Sequence, residues 1–327
     1  MQLPSLDRIR TAQQLVYGFM PPTPQYSWPL LNRRLGTEIW IKHENHTPVG
    51  AFKIRGALVY LSWLKQTQPE LAGVIAATRG NFGQGVALAA RLFRVKAVIV
   101  VPYGNSVEKN RATCAQGAEL VEHGQDFQEA LEFARALAAE CGLIPVESFH
   151  ERLVMGTATY AMELFEGAPP LDVVYVPIGL GSSVCGMAAA RNALGRATEI
   201  VGVVAAESPC YARSFKARKP VEAPSRTAIA DGLACRTPNP EALEAILANV
   251  ARVIEVSDEE IRDAMRALYE DTHNLAEGAG AAALAGAVQE KAQLRGKRAA
   301  AILTGGNVDR DLYAAVLNGA SNLARPM

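Results

Sequence analysis

The stretch Thr47-Pro-Val-Gly-Ala-Phe-Lys53-Ile-Arg-Gly56 decides how the rest of this chain is interpreted, because it places one lysine in a glycine-flanked turn. Residues 38–42 before it alternate polar and apolar side chains like a strand, and residues 57–64 after it are apolar enough for a packed helix. Lys53 is therefore predicted at the amino end of a helix. Partial burial and the helix dipole both favour its neutral amine, which can form a Schiff base with an aldehyde.

Taken alone, this turn does not establish any chemistry. A lysine in a turn is usually a solvated surface charge, since lysine is rarely buried. A catalytic interpretation requires other parts of the chain to supply a partner for the Lys53 amine.

The composition indicates what kind of molecule the protein binds. The chain has 327 residues, of which 49% are hydrophobic and 20% are charged, as in an ordinary globular protein with a sizeable core. Lysine plus arginine equals aspartate plus glutamate, at 33 each. This balance argues against nucleic acid or an acidic membrane surface and favours a small molecule.

The cysteines and the apolar segments predict a soluble, cytoplasmic protein with no membrane contact. The amino terminus lacks the features of a signal peptide, and the longest apolar stretches, such as residues 95–101, are too short to span a bilayer. An odd number of cysteines without CxxC spacing gives no disulfide framework and fits a reducing compartment. The five are Cys114, Cys141, Cys185, Cys210 and Cys235.

Short β-branched runs alternate with segments of helical length along the whole chain. This alternation predicts an α/β fold with parallel sheets between helices, and the number of strands favours two sheets over one. Residues 257–260, Ser-Asp-Glu-Glu, form a capping box that opens one of the helices. Residues 216–240 are predicted as a long surface excursion. The predicted strands cover residues 38–42, 74–78, 97–101, 119–122, 144–146, 173–176, 200–204, 253–256 and 300–304.

Four glycine-bearing loops after Lys53 each follow a predicted strand, which is where open α/β folds bind ligands. The first is Thr78-Arg-Gly-Asn-Phe-Gly-Gln-Gly85. Its backbone N–H groups form an anion cradle, and the Asn81 amide can donate a hydrogen bond to a ligand oxygen. The alternative is a simple helix cap with glycines for tight packing.

The second loop, Pro177-Ile-Gly-Leu-Gly-Ser-Ser-Val-Cys-Gly186, is typical of a phosphate site. Its glycines allow close backbone approach, and Ser182 and Ser183 add hydroxyl groups at the positive end of a helix dipole. The spacing also weakly resembles a dinucleotide fingerprint, but the third glycine is missing and neither Glu199 nor Glu207 is well placed for the ribose. A nicotinamide-dependent oxidoreductase is therefore the lower-ranked alternative.

The third and fourth loops lie at residues 274–283 and 303–309. Small residues at both would let a flat ring lie close to the backbone, and Thr304 offers a hydroxyl to a ring nitrogen. Glu277 could equally be a first-turn acid that complements its helix dipole. An imine-forming lysine, a phosphate loop, an asparagine for a ring oxygen and a hydroxyl for a ring nitrogen together indicate pyridoxal 5′-phosphate.

The segment from Lys42 to Ala57 resembles the lysine motif of fold type II pyridoxal-phosphate enzymes, in the branch of serine and threonine dehydratases and serine racemase. The resemblance covers nearly the whole chain, and the residues Ile-Arg-Gly after Lys53 are similar to those of dehydratases. Residues 227–234, Thr-Ala-Ile-Ala-Asp-Gly-Leu-Ala, also resemble a dehydratase motif. The resemblance implies two doubly wound parallel-sheet domains: a large cofactor-binding domain of residues 1–70 and 152–327, and a small substrate-binding domain of residues 71–151.

The resemblance also implies a role for each site residue. Lys53 binds the cofactor and is the catalytic residue, Asn81 meets the phenolic oxygen, and Thr304 replaces a serine at the pyridine nitrogen. The expected cofactor-binding residues are Phe52, Lys53, Asn81, Gly179, Leu180, Gly181, Ser182, Ser183, Glu277 and Thr304. The expected substrate-binding residues are Thr78, Arg79, Gly80, Asn81 and Phe82.

The activity implied is dehydration and deamination of a β-hydroxy-α-amino acid such as threonine, serine or a bulkier 3-substituted serine of the phenylserine type, giving a 2-oxo acid and ammonia. Lys53 would remove the α-proton. An amino-acid racemase and a 3-hydroxyaspartate dehydratase are alternatives on the same fold, and a non-catalytic amino-acid sensor is another class. A homodimer is expected, and the few residues after the last predicted helix lead us to expect no regulatory domain.

Several positions depart from the family pattern. Arg79 stands where racemases carry a serine, so efficient racemisation is not expected. Phe82 stands where histidine is common, which favours an apolar or aromatic β-substituent. Of the acidic pair that binds a divalent cation in the family, only Glu207 is present and Arg213 takes the second position, so no metal is expected there. The family's glycine-glutamine-glycine-threonine turn is altered at residues 156–159.

Overall fold

Strands in the computed structural model, which describes residues 1–319, form two separate sheets. The strands are β1 (Gln25–Ser27), β2 (Glu38–His43), β3 (Val74–Ala77), β4 (Ala97–Val101), β5 (Glu119–Glu122), β6 (Ile144–Pro145), β7 (Val173–Pro177), β8 (Glu199–Ala205), β9 (Arg252–Val256) and β10 (Arg298–Leu303). The six-stranded sheet has the order β1-β2-β10-β7-β8-β9, and the four-stranded sheet has the order β5-β4-β3-β6.

The helices lie between the strands along the chain, as the alternation of the sequence predicts. They are α1 (Leu6–Tyr17), α2 (Pro29–Leu35), α3 (Lys53–Thr67), α4 (Asn81–Leu92), α5 (Val107–Ala115), α6 (Phe127–Cys141), α7 (Glu151–Gly167), α8 (Ser182–Ala193), α9 (Cys210–Ala217), α10 (Pro240–Asn249), α11 (Asp258–Thr272), α12 (Gly278–Gln289) and α13 (Arg310–Leu317). Within residues 1–319, none of them is long and apolar enough to cross a bilayer.

All neighbouring strands run parallel except one pair, which confirms the predicted α/β fold with two parallel sheets. The exception is β1, which pairs antiparallel with β2 through Tyr26 and Ile41 at the edge of the larger sheet. The sequence analysis missed β1 because its three residues carry no apolar run. The smaller sheet is drawn from residues 74–145, while the division of the chain into domains at residues 70 and 151 stays a prediction.

Both faces of the larger sheet are covered by helices. Along β7, Val174 and Val176 pack into the cluster formed with α7 and α8, whereas Val173 and Tyr175 pack into the cluster formed with α11 and α12. Every residue of β7 is buried. This explains why its sequence is continuously apolar, since a strand covered on both faces has no solvent side.

Three helices begin at predicted site residues. The helix α3 begins at Lys53, as predicted, whereas α4 and α8 begin at Asn81 and Ser182, inside segments that are predicted as glycine loops. Glycines that look like loop residues lie in the first turns. A Cβ atom at Gly85 would lie only 3.0 Å from the backbone carbonyl carbon of Lys53, so this glycine permits close helix packing.

Two predicted irregular segments have different roles in the structure. Residues 216–240 are not only a surface excursion, because Ala230 and Leu233 are buried and residues Asp231–Leu233 form a short 3₁₀ helix. Residues 156–159 are not a turn, because they lie inside α7. Gly156 lies against the backbone of α3, and the hydroxyl of Thr157 donates to the carbonyl of Ser182 at 2.8 Å.

Candidate active site

Lys53 is the first residue of α3 and lies at the carboxyl edge of the larger sheet. The turn before it is attached to the end of β10, because the N–H of Phe52 donates to the Thr304 carbonyl at 3.1 Å and Ala51 bridges to Gly305. The Lys53 Nζ atom lies 4.6 Å from the centre of the Phe52 ring. The lysine is thereby placed beside the loop that follows β10.

The surroundings of Lys53 favour a neutral amine. Burial lowers the pKa of Lys53 to about 8, although the Glu277 carboxylate acts in the opposite direction. Lys53 as a whole residue is half-buried. A far larger fraction of its amine is unprotonated near neutral pH than in an ordinary lysine, and the unprotonated amine is the form that attacks an aldehyde.

Phe52 links the lysine turn to the glycine loop after β7. Its ring is buried and packs edge-on against Tyr160 of α7, with ring centres 6.1 Å apart. The hydroxyl oxygen of Tyr160 lies 2.6 Å from the hydroxyl oxygen of Ser183. One aromatic pair therefore connects the two loops and positions Ser183.

The loop from Gly179 to Ser183 has the geometry of an anion cradle. Gly181 adopts a positive φ of 103°, which few other residues tolerate, and α8 begins directly after it. A Cβ atom at Gly179 would lie 2.3 Å from the carbonyl oxygen of Gly232, so this position also needs glycine. The Leu180 carbonyl accepts a hydrogen bond from Tyr211 at 2.9 Å. Unpaired N–H groups at the start of α8 suit a phosphate.

Asn81, Glu277 and the loop after β10 meet at one point. The Asn81 side-chain amide donates to the Glu277 carboxylate, and its oxygen accepts from Asn307 at 2.8 Å. The Glu277 N–H donates to the Gly305 carbonyl at 3.1 Å. Glu277 is the residue just before α12 and not a first-turn acid of that helix.

Thr304 is buried immediately after β10. Its hydroxyl donates to the carbonyl of Ala279 at 3.3 Å. A Cβ atom at Gly280 would lie 2.2 Å from the Gly305 carbonyl oxygen, which shows how closely α12 approaches this loop.

The expected substrate loop runs from the end of β3 into α4. Thr78 is buried, and its hydroxyl accepts a hydrogen bond from the Gly80 N–H at 3.1 Å. Phe82 is half-buried and packs against the apolar cluster that includes Ile54 and Val86. Arg79 is half-buried, and no hydrogen bond or ion pair holds its guanidinium within residues 1–319.

The residues at the position of the family's cation site, where no metal is expected, are Glu207 and Arg213. Glu207 is half-buried with one carboxylate oxygen lacking a hydrogen-bond partner among residues 1–319, and burial together with Asp258 raises its pKa. Arg213 is exposed and forms no ion pair with Glu207 in that range. No group of three or more metal-binding side chains occurs in the described part of the chain.

The structure adds residues that the sequence analysis did not single out. Lys109 and Asn307 contact Glu277 and Asn81 respectively, and Tyr160 contacts Ser183. Asn307 lies in the predicted fourth loop, but its sequence context gives no role. No sequence pattern marks Lys109 or Tyr160, since both lie within ordinary helices.

This chain is similar to known proteins over nearly its whole length. Residues 16–305 match the family model described as "Pyridoxal-phosphate dependent enzyme". The L-threonine ammonia-lyase of Thermotoga maritima is 32% identical over 96% of this chain and 78% of that protein. The L-threo-3-hydroxyaspartate ammonia-lyase of a Pseudomonas species is 34% identical over 98% of this chain and 100% of that protein. Maize serine racemase superposes with a TM-score of 0.90 at 28% identity, covering 97% of this chain and 98% of that one.

Proposed function

Because this chain belongs to the family of pyridoxal-phosphate dependent enzymes, we propose that it eliminates water from a β-hydroxy-α-amino acid and that a water molecule then hydrolyses the unsaturated product, so that the net products are a 2-oxo acid and ammonia. The observation that carries this proposal is that Lys53, whose pKa is lowered, faces Glu277, the acceptor of the Asn81 amide, while the neighbouring Phe52 is linked through Tyr160 to Ser183 of the glycine loop. When bound, pyridoxal phosphate supplies an aldehyde for the lysine and a conjugated ring that takes up the electrons of the broken Cα–H bond. The nicotinamide-dependent alternative loses its support.

The residues around Lys53 divide the work of binding. Lys53 would hold the cofactor through its amine, and the same amine, when free, would accept the proton from the substrate Cα. The N–H groups at the start of α8, with the hydroxyls of Ser182 and Ser183, bind the phosphate. Asn81 donates to the ring oxygen, and Phe52 packs beside the ring.

Thr304 gives the site a preference for elimination. A threonine hydroxyl can accept or donate a hydrogen bond but carries no charge, so it does not hold a ring nitrogen in the protonated form. Thr304 would therefore leave a bound ring only a moderate acceptor of negative charge, which would favour prompt loss of the β-hydroxyl over slower reactions at Cα. This property supports a dehydratase.

The loop of residues 78–82 is the proposed site for the substrate carboxylate. It leads into the amino end of α4, where unpaired N–H groups and the helix dipole attract an anion. The Thr78 hydroxyl adds a further polar group. The amino acid would thereby be held with its Cα near the Lys53 amine.

Replacement of Lys53 by alanine tests the proposal. We expect Lys53→Ala to lose both the visible absorbance of bound cofactor and the release of ammonia from hydroxy amino acids. The matched control is Lys65→Ala, which lies near the other end of α3 and should leave both unchanged. Turnover by Lys53→Ala at a comparable rate would refute the role of Lys53, whereas a wild type that binds cofactor but releases no ammonia would indicate a sensor.

The substrate class depends on Phe82 and Arg79. We propose that threo-3-hydroxy amino acids with apolar or aromatic side chains are preferred, because Phe82 is apolar and adds no charge to the site. A second candidate, 3-hydroxyaspartate, is supported by the unpaired guanidinium of Arg79 and by the relatives that act on this compound. A substrate panel that measures 2-oxo acid formation decides between them, and a clear preference for 3-hydroxyaspartate would assign its second carboxylate to Arg79.

Racemisation should be weak, because Arg79 has no hydroxyl to serve the opposite face of the substrate. A guanidinium stays protonated at any physiological pH and is a poor proton donor or acceptor. Incubation with a single serine enantiomer, followed by chiral chromatography, measures this directly. Appearance of the other enantiomer as fast as 2-oxo acid would contradict the proposal.

The cellular setting is a further proposal. We propose a homodimer in the cytoplasm, supported by the resemblance to dehydratases and by the scattered cysteines. The domain limits at residues 70 and 151 belong to the same proposal. Size-exclusion chromatography with light scattering tests the dimer, since a mass near 35.0 kDa would indicate a monomer.

A further inference from the structure

Lys109 is a buried lysine outside the residues so far assigned to the site. It lies in α5, which belongs to the smaller sheet's part of the chain, and only 9% of its surface is exposed. Its Nζ atom lies 3.5 Å from a carboxylate oxygen of Glu277, which belongs to the larger sheet's part of the chain. Burial of a lysine is costly unless a partner compensates its charge. Glu277 is that partner, so the effect of Lys109 is expected on Glu277.

Two glycines, Gly80 of the predicted substrate loop and Gly305 after Thr304, make room for this pair. A Cβ atom at Gly80 would lie 2.6 Å from Cδ of Lys109, and a Cβ atom at Gly305 would lie 2.4 Å from a carboxylate oxygen of Glu277. The pair Lys109–Glu277 therefore occupies the space that a larger side chain at Gly80 or Gly305 would fill.

A chain of hydrogen bonds leads from this pair to the Asn81 amide. The side-chain nitrogen of Asn307 donates to the Val49 carbonyl and to the Asn81 oxygen, both at 2.8 Å, so both of its hydrogens are used. The oxygen of Asn81 is thus committed as an acceptor. Its nitrogen donates one hydrogen to Glu277, which leaves one hydrogen for a ligand.

We propose that Lys109 is a positioning residue for the cofactor: its ion pair keeps Glu277 an acceptor for Asn81, so that the remaining Asn81 hydrogen is presented to the cofactor ring oxygen. The inference rests on the proposed function in one respect, the role of Asn81. If Lys109 has this role, cofactor binding depends on contact between α5 and the loop before α12. These two elements belong to the parts of the chain that form different sheets.

The charges that face Glu277 set how this arrangement responds to pH. Lys109 approaches it from α5, Lys53 from α3, and Asp231 from the short 3₁₀ helix. Burial raises the pKa of Glu277, Lys109 lowers it, and Asp231 raises it. Loss of the Lys109 charge therefore raises the pKa of Glu277 further, and the carboxylate is neutralised at a higher pH.

The test is a pH titration of the visible absorbance of the holoenzyme. Lys109→Met removes the charge while keeping the length of the side chain, and we expect the acid-side transition to move up by about one pH unit or more. Lys109→Arg keeps the charge and should retain the wild-type transition. Glu277→Gln should lack that transition, and adding Lys109→Met to Glu277→Gln should change nothing further.

The matched control is Lys96→Met, which breaks an ion pair with Glu119 of similar length, 3.0 Å, on the exposed surface of the smaller sheet. Its titration should equal that of the wild type. The inference is overturned if the absorbance titration curves of Lys109→Met and the wild type are identical, or if neither protein shows a transition. It is also overturned if Lys109→Met still shifts the transition when Glu277 is already glutamine. If Lys109→Met fails to hold cofactor, the comparison of Lys109→Arg with Glu277→Gln decides. Failure here leaves the Lys53→Ala result intact, so the two proposals fail separately.

Discussion

Gly156 of α7 packs directly against the backbone of Arg55 in α3, so that a Cβ atom on Gly156 would lie 2.2 Å from the Arg55 carbonyl oxygen. Arg55 is two residues after Lys53. The approach of α7 to α3 therefore determines where the reactive lysine begins its helix. The altered residues 156–159 of the family pattern keep their glycine at this crossing.

Gly156→Ala should destabilise the protein by about 1–3 kcal/mol, because the added methyl group meets backbone that cannot rotate away. Cofactor occupancy should fall as well, since α3 carries Lys53. Denaturant unfolding and the visible absorbance of the purified protein measure the two effects. Gly167→Ala, at the end of the same helix, is the control, because its methyl group would meet only the flexible end of Gln25. Equal effects of the two changes would contradict the packing explanation.

Arg55→Met should cost about 3–5 kcal/mol of unfolding free energy, because it leaves buried carboxylates without their partner. The Arg55 guanidinium lies 2.7 Å from both Glu44 and Glu163, and Lys42 lies 2.6 Å from Glu163. The pair of Arg298 with Glu38, whose side chains are 35% and 38% exposed, supplies the control, and Arg298→Met should cost less than about 1 kcal/mol. If Arg55→Met lowered the unfolding free energy no more than the control does, Lys42 alone would be sufficient to compensate the carboxylates of Glu44 and Glu163.

The rate at which cofactor-free protein captures pyridoxal phosphate should rise with pH, with a midpoint of about 8, because only the neutral Lys53 amine attacks and burial lowers its pKa to that value. Glu277→Gln removes the carboxylate that raises this pKa, so its midpoint should lie at lower pH. Stopped-flow absorbance at a series of pH values measures both. A midpoint near 10.5, the ordinary lysine value, would show that the amine is not desolvated.

Tyr160→Phe should weaken cofactor binding about threefold to tenfold, the effect of one lost hydrogen bond, because the Ser183 hydroxyl loses its orienting partner. Equilibrium dialysis against pyridoxal phosphate gives the dissociation constant. Tyr175→Phe removes a similar buried hydrogen bond, 2.7 Å to Glu290, away from the site and should leave that constant unchanged. A similar loss in both variants would mean that the effect is general destabilisation.

Local sequence patterns predicted most of the regular structure. The apolar runs of β4 and β7 predicted buried parallel strands, and both are buried along their whole length. The capping box was also confirmed, since the Ser257 hydroxyl accepts from the Glu260 N–H and the Glu260 carboxylate accepts from the Ser257 N–H. These features depend on residues close in sequence, so a local pattern contains the information.

Features that depend on distant partners were missed or misjudged. The strand β1 forms because its backbone pairs with β2 at the edge of the larger sheet, and its three residues have no apolar pattern of their own. Residues 229–235 lie in the segment predicted as a surface excursion, yet several are buried because α12 and the Gly179 loop pack on them. Burial of this segment depends on those distant elements, which no local pattern reveals.

A lysine that begins a helix beside glycine loops is predictable from the chain alone, because helix starts, turns and apolar periodicity are set by neighbouring residues. The side chains around that lysine are defined only by the packing of elements that are distant in sequence. Lys109 is separated from Glu277 by 168 positions, the difference between their residue numbers, and Asn307 is separated from Asn81 by 226. Their contacts arise because the elements that carry them pack together, and the cost of burying their charges and amides requires that each find a partner there.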